Sequence, residues 1–472
     1  MNKIIIKTSK YFFILPVTFV VIVTFPHLSL PYFWDEAWSY FPAVFKMYKN
    51  GPGLLPGALP LWDAKGHPLF FFFLSSSWMR LVGTSVFWVH VLPFLISLST
   101  LWALFCLVKK HAGLWAANIA LLLFSVQSLF LAQATFLLPE MLITLLLLFS
   151  IDTYLSRKFW WFVLVASIMV MTKETSIVFV GSFLLFHLLN HLKPGKESRK
   201  YIVESLQMAI PLAVYGIFLI LHKKEFGSFF FQEHTGYIQL SLATILKKLQ
   251  IATGIIFTRY GRNIILVAII VAVLILIFKK KKWENKKLLA LLVLQTGVFL
   301  LFSAVNFYTQ RYMLSLLALF VIITAVLLVQ VKFSKWVINA LVITAITVVP
   351  LYFTFTQKSN ADSDLGYVQV VKVHQQMVKY CEEQGWQNEP VSASFNLIFC
   401  LRDPHLGYVS TNEGFTQVMN LQKFKEAKIF VNECTSFGAD AQLDSIRNEN
   451  KMVKEFRLEQ AWGKIYTNLS VK

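Results

Sequence analysis

The stretch Tyr11–Glu36, YFFILPVTFVVIVTFPHLSLPYFWDE, decides the class of fold. Its apolar run from 11 to 31 is long enough to cross a hydrocarbon core of roughly 30 Å as a helix. It then runs into two adjacent carboxylates, Asp35 and Glu36. Ionised groups are costly beside hydrocarbon, so a carboxylate pair kept where a helix leaves the membrane is there to be used or to be paired. The reading is catalysis at the membrane surface.

Outward from this stretch, apolar runs of similar length recur at 86–108, 113–132, 136–155, 202–221, 261–278, 288–305, 312–331 and 335–356. Two shorter runs, 159–172 and 175–191, flank Thr172-Lys173-Glu174. The pattern predicts about eleven transmembrane spans. Composition agrees: 56% of the 472 residues are hydrophobic, 44 of them Phe, and the mean hydropathy is +0.60. One water-soluble core cannot absorb that much apolar surface.

Basic residues fall in alternate loops: Lys3, Lys7 and Lys10; Lys109-Lys110; Arg157-Lys158; Lys193, Lys196, Arg199 and Lys200; Lys279–Lys282 with Lys286 and Lys287; Lys332 and Lys335. Lys and Arg are retained on the cytoplasmic side, so these loops define the inner face. Asp35, Glu36, Asp63, Glu140, Glu174, Glu225 and Glu233 occupy the opposite loops. An odd number of spans puts the N-terminus in the cytoplasm and the residues after about 357 outside. The first run lacks a small-residue cleavage pattern and is expected to stay as a span.

The chain therefore divides into a transmembrane part, 1–356, and an extracytoplasmic part, 357–472. The first outer loop, 32–85, is rich in aromatics and predicted to lie as short interfacial helices, with a second such helix in 222–260. The tail carries 13 Lys and Arg against 14 Asp and Glu, so the net charge of +19 belongs to the membrane part. That charge is topological and does not call for nucleic acid. The tail predicts a helix Tyr367–Glu383, strands Val391–Phe395 and Lys428–Val431, a helix near Asp440–Asn448, and closing strands Met452–Leu458 and Gly463–Thr467: a small α/β domain. Three of the four cysteines, Cys381, Cys400 and Cys434, lie there. Their pairing stays open.

Several outer-face residues carry chemistry, each beside a plainer alternative. Asp35 reads as a general base or as the N-cap of a helix starting at Glu36. His67, in Gly66-His67-Pro68, reads as a phosphate contact, a cation ligand shared with the acids, or a loop-fixing histidine. Glu140, behind Pro139, reads as a helix-opening charge or a site acid. Lys173 either pairs with Glu174 or meets a phosphate. Arg311, in Tyr308-Thr309-Gln310-Arg311-Tyr312, either snorkels to lipid or grips a pyrophosphate or phosphate. No Gly-rich phosphate loop, internal repeat or low-complexity stretch is present.

In this order the pieces resemble the GT-C superfamily of membrane glycosyltransferases, in the branch of the protein O-mannosyltransferases and lipid A aminoarabinose transferases. The resemblance spans about residues 10–330. It rests on Asp35-Glu36-Ala37-Trp38-Ser39-Tyr40, Gly66-His67-Pro68-Leu69, Pro139-Glu140-Met141-Leu142, Thr172-Lys173-Glu174 and Tyr308–Tyr312. It implies a polyprenyl-phosphate-linked sugar as donor, inversion, Asp35 as base with Glu36 supporting it, and Glu140 as a second site acid. His67, Lys173 and Arg311 would then hold the donor phosphate. Relatives often have a second proline where Leu69 stands, Asp where Glu140 stands and Gly where Glu174 stands. The acceptor is left open among lipid, polysaccharide and protein, as is participation of a divalent cation; no other cofactor is called for. The expected location is a bacterial cytoplasmic membrane. The rival reading is a secondary transporter or lipid flippase, for which paired half-sequences and mid-membrane charges would be expected.

Overall fold

The computed structural model describes residues 11–191, 198–331, 336–435 and 450–468. Lys3, Lys7, Lys10, Lys193, Lys196, Lys332 and Lys335, and the helix expected near Asp440–Asn448, lie outside the described residues. Among the described residues six helices are long and apolar enough to cross a membrane: Val86–Ala112, Arg199–Phe226, Arg259–Phe278, Lys286–Val305, Gln310–Val331 and Val337–Thr356. Shorter apolar helices are Ile14–Ser29, Phe70–Val82, Leu114–Ser125, Phe159–Thr172 and Glu174–Asn190. The helix Leu314–Val331 sits at the centre, with nearly every side chain buried. In contrast, Arg262–Phe278 buries few residues and exposes Val267, Ile270, Val271 and Leu274. An apolar helix exposed along such a face suits a lipid boundary.

The run read as one span over 113–132 breaks. Its helix ends at Ser125, and a short helix, Ser128–Gln133, follows after Val126-Gln127. Away from water, carbonyls freed by such a break need donors. Gln127 Nε2 donates to the Leu123 carbonyl at 2.8 Å, and Thr354 Oγ1 donates to that of Val126 at 2.8 Å. Gln127 Oε1 in turn accepts from Arg262 Nε at 2.8 Å, partnering a guanidinium that is 1% exposed. The break is built in by polar side chains that hydropathy averages away.

The segment 32–85, expected as the first outer loop, is helical in pieces: a π-helical turn Glu36–Tyr40, helix Phe41–Asn50, a turn Leu61–Ala64 and helix Phe70–Val82. In the second, Leu242–Phe257 forms the expected helix.

The C-terminal part is a five-stranded sheet in the order β2-β1-β3-β5-β4. Its strands are β1 Val391–Ala393, β2 Val418–Asn420, β3 Ile429–Glu433, β4 Asn450–Leu458 and β5 Ala461–Asn468. β1 pairs in parallel with β2 and β3, while β5 pairs antiparallel with β3 and β4. β1 is shorter than expected because Phe395 opens a helix, Phe395–Arg402, whose Leu397, Cys400 and Leu401 face inward at helical spacing. β2 is a short strand the sequence did not suggest. Helix Tyr367–Glu383 lies directly on β5: a Cβ at Gly463 would meet Met377 Sδ at 2.1 Å. The four cysteines are free thiols, Cys381 and Cys400 deeply buried.

Backbone and side-chain bonds dock this domain on the helices. Tyr32 N–H donates to the Leu406 carbonyl at 3.2 Å and Tyr408 Oη to the Tyr32 carbonyl at 3.0 Å. Tyr260 Oη donates to Asp364 at 2.6 Å, and Gln133 Nε2 to the Asp362 carbonyl at 2.7 Å.

Candidate active site

Asp35 and Glu36 are adjacent, yet their side chains serve different neighbourhoods. Trp34 adopts φ +51°, a left-handed conformation unusual for a large residue, and a π-helical turn begins at Glu36. Both distortions cost free energy and collect at functional sites. Asp35 makes no side-chain cap bond to the turn that follows, which removes its N-cap reading. Its Oδ1 accepts from Trp38 Nε1 at 2.7 Å, and its Oδ2 accepts from Arg311 Nη2.

Arg311 enters on a 3-10 turn, Gln310–Met313, that leads into the central helix. Its guanidinium is buried and shared by three carboxylates: Asp35, Asp362 through Nη1 at 2.6 Å, and Glu140 through Nε at 3.4 Å. Lys173 Nζ donates to the same Glu140 oxygen at 2.8 Å and lies 3.8 Å from the Tyr312 ring centre. The other Glu140 oxygen is buried with no hydrogen-bond partner among the described residues. A buried carboxylate oxygen without a donor is expensive.

Three carboxylates here share two directly bonded cations, Arg311 and Lys173. Burial pushes the Asp35 carboxyl up, but Arg311, the Trp38 N–H and Lys65 outweigh it and hold Asp35 below the usual carboxylate range. For Asp362 burial prevails over the Arg311 attraction, and repulsion from Asp35 and Glu140 adds to it, so its carboxyl is raised. Of these two partners of Arg311, Asp362 gives up its charge more readily. A cavity of about 660 Å³ adjoins the network, lined among others by Trp34, Lys248, Arg259, Arg311 and Asp362.

Glu36 is fully buried and faces the other way. Its carboxylate accepts from the Leu137 N–H at 2.6 Å and the Phe33 N–H at 3.3 Å, and pairs with His90 Nε2 at 2.9 Å. It has no bond to Asp35, and any influence on it runs through the backbone that Glu36 pins. His67 stands apart from the Arg311 network: its Nδ1 lies 2.7 Å from Glu174 Oε2. Its ring stacks on Tyr40 at 6.2 Å between centroids. The plainer alternative, Lys173 paired with Glu174, gives way to Lys173 with Glu140 and His67 with Glu174. Asp63 is held by Lys46 at 2.7 Å.

The structure therefore joins Asp35, Glu140, Lys173 and Arg311, with His67 in a neighbouring cluster and Glu36 as an anchor. Asp362, Lys65 and His234 escaped the sequence reading. Asp362 did carry a signal, being an acid just beyond the last span, as Asp35 is just beyond the first. Lys65 Nζ lies 3.1 Å from the Trp38 ring centre, and burial lowers it to about 8 despite Asp35. His234 offered no pattern at all, because only the fold brings its loop to His67.

This architecture is similar to that of GT-C membrane glycosyltransferases of known structure. The chain is similar to ArnT of Cupriavidus metallidurans bound to undecaprenyl phosphate, with a TM-score of 0.59 and 14% identity over 96% of this chain and 97% of that one. ArnT in the apo state gives 0.60 at the same identity and coverage. The archaeal oligosaccharyltransferase AglB from Archaeoglobus fulgidus, in complex with an inhibitory peptide and a dolichol-phosphate, gives 0.53 at 10% identity, over 99% of this chain and 75% of that one. At such identities the likeness is one of fold. Residues 66–222, about a third of the chain, match the family described as dolichyl-phosphate-mannose-protein mannosyltransferase. That matched segment holds His67, Glu140 and Lys173, while Asp35, Arg311 and Asp362 lie outside it. No protein of curated function matches in sequence.

Proposed function

We propose that the chain transfers a sugar from a polyprenyl-phosphate carrier to an acceptor hydroxyl at the outer membrane face, with inversion. One observation carries the reading: a buried guanidinium, Arg311, is shared by Asp35, Glu140 and Asp362 at the wall of a cavity. The undecaprenyl and dolichol phosphates bound by ArnT and AglB support a lipid-phosphate donor.

The donor arrives activated, so the protein needs a base and a cation for the leaving phosphate. The acceptor oxygen attacks the anomeric carbon as the bond from that carbon to the phosphate oxygen breaks. The departing polyprenyl phosphate takes the bonding pair, and Asp35 takes the acceptor's proton. An Asp35 held low by Arg311 is a poor base, so the two must part. The donor phosphate competes for the guanidinium, and as Arg311 turns to it Asp35 loses the contact that depressed it. Lys173 supplies a second phosphate contact, and Glu140 with its free oxygen positions the pair or the acceptor. Glu36 keeps the loop in place, and His67 borders the donor end. The acceptor is a lipid, a polysaccharide or a protein.

Asp35→Asn in reconstituted protein, followed with radiolabelled polyprenyl-phosphate sugars, tests this. Transfer is expected to fall by about 10²-fold or more, the usual worth of a general base, with the protein still folded. Full transfer by the variant would overturn Asp35 as base, and no transfer by wild type from any such donor would overturn the donor class.

A further inference from the structure

Three segments distant in sequence meet at His67, Glu174 and His234. His67 comes from the first outer loop, Glu174 from the connection between two short apolar helices, and His234 from the second outer loop. One ligand atom from each lies within 4.8 Å of the others. The approach is built by packing. Gly66 has φ +71°, and a Cβ there would meet Phe231 at 2.9 Å, so the loop bearing His67 rests on the backbone three residues before His234. Trp62 packs edge-on against Phe231 at 5.3 Å, and Phe231 likewise against His234 at 5.3 Å.

An imidazole–carboxylate pair accounts for His67 and Glu174 alone. It leaves His234, whose ring sits 5.2 Å from that of His67 at 34° and makes no hydrogen bond among the described residues. Two imidazoles held side by side against one carboxylate are a donor set for a borderline divalent cation. At zinc–ligand distances near 2.1 Å, tetrahedral ligand atoms stand about 3.4 Å apart, so modest side-chain rotation closes the set. Lys173 and Lys65 oppose a cation, but Lys173 is matched by Glu140, and Lys65 has Asp35, Glu233 and Asp63 around it.

We propose that His67, Glu174 and His234 form a site for a divalent transition cation of the zinc class, three protein ligands leaving the fourth position open. The cation ties the two outer loops to the Thr172-Lys173-Glu174 connection and so fixes Lys173, the residue beside Glu174, against Glu140. The site stands whether or not the donor assignment holds, because it is read by metal and not by transfer.

The full-length protein in detergent, stripped with chelator, is titrated with Zn²⁺ alone and separately with Co²⁺. One equivalent of zinc per chain and a Co²⁺ visible band of tetrahedral intensity are expected. His234→Ala and Glu174→Gln should each weaken zinc at least tenfold and abolish the band, and the exposed His405→Ala should leave both unchanged. Monodisperse elution of each variant establishes folding. Absence of binding to wild type, or binding untouched by both ligand variants, overturns the proposal.

Discussion

Arg311 is where the local forces meet, because one buried guanidinium answers three carboxylates. Its removal has a predictable sign. Burial raises Asp35 and Arg311 lowers it, so wild type keeps Asp35 ionised below the ordinary carboxylate range. The acid limb of kcat/KM is therefore expected at low pH, and in Arg311→Gln it should move upward as the rate falls, which a pH–rate profile reads. Asp362 is the opposite case, raised by burial and neighbouring acids. Asp362→Asn removes a competitor of the donor phosphate for Arg311, and polyprenyl phosphate is expected to bind several-fold more tightly in a direct binding assay. Both variants bear on residues that single-sequence reasoning treats unequally. Asp35 and Arg311 stood out because charge is rare beside apolar runs, while Asp362, although just beyond the last span, opens a polar segment where acids are ordinary and its position alone does not single it out.

At the scale of elements, the broken helix after Ser125 is the most informative departure from hydropathy. An apolar run records that a segment can be buried; it does not record whether the segment stays helical. Gln127 decides that, by satisfying the Leu123 carbonyl and partnering Arg262. Gln127→Leu makes the run more apolar still and strips the Leu123 carbonyl and Arg262 Nε of these partners. A loss of about 3 kcal/mol is expected, since bonds to charged groups contribute about 1.5–3 kcal/mol and buried orphans cost about as much again. Thermal unfolding in detergent measures it against Gln127→Glu, which retains an acceptor for Arg262. The same limit explains β1, where the alternation Val391-Ser392-Ala393-Ser394-Phe395 turns from strand to helix at Ser394. Residues 391–395 do not distinguish the two, and the helical spacing of Leu397, Cys400 and Leu401 becomes meaningful only once the sheet is in place.

For the whole molecule, the alternation of basic and acidic loops predicts that both the first outer loop and the tail face away from the cytoplasm. In a background with Cys106, Cys381, Cys400 and Cys434 replaced, single cysteines at Asp63 and Glu413 should react with a membrane-impermeant maleimide in intact cells. A cysteine at Lys280 should react only after lysis, and the reverse pattern would invert the topology. Much of this large-scale order is written in the chain because hydrophobicity and charge act through composition, independent of which segments touch. They determined that the protein is membrane-embedded and helical, that it ends in a mixed α/β domain, and that its acids collect at one set of loops. Tertiary structure decided what composition cannot carry: which cation answers which carboxylate, that Asp362 reaches Arg311 from beyond the last helix, that Glu36 is an anchor, and that His234 lies beside His67 and Glu174. Those contacts join residues tens to hundreds of positions apart. Their free energies depend on distance and on exclusion of water, quantities that exist only after the helices have packed.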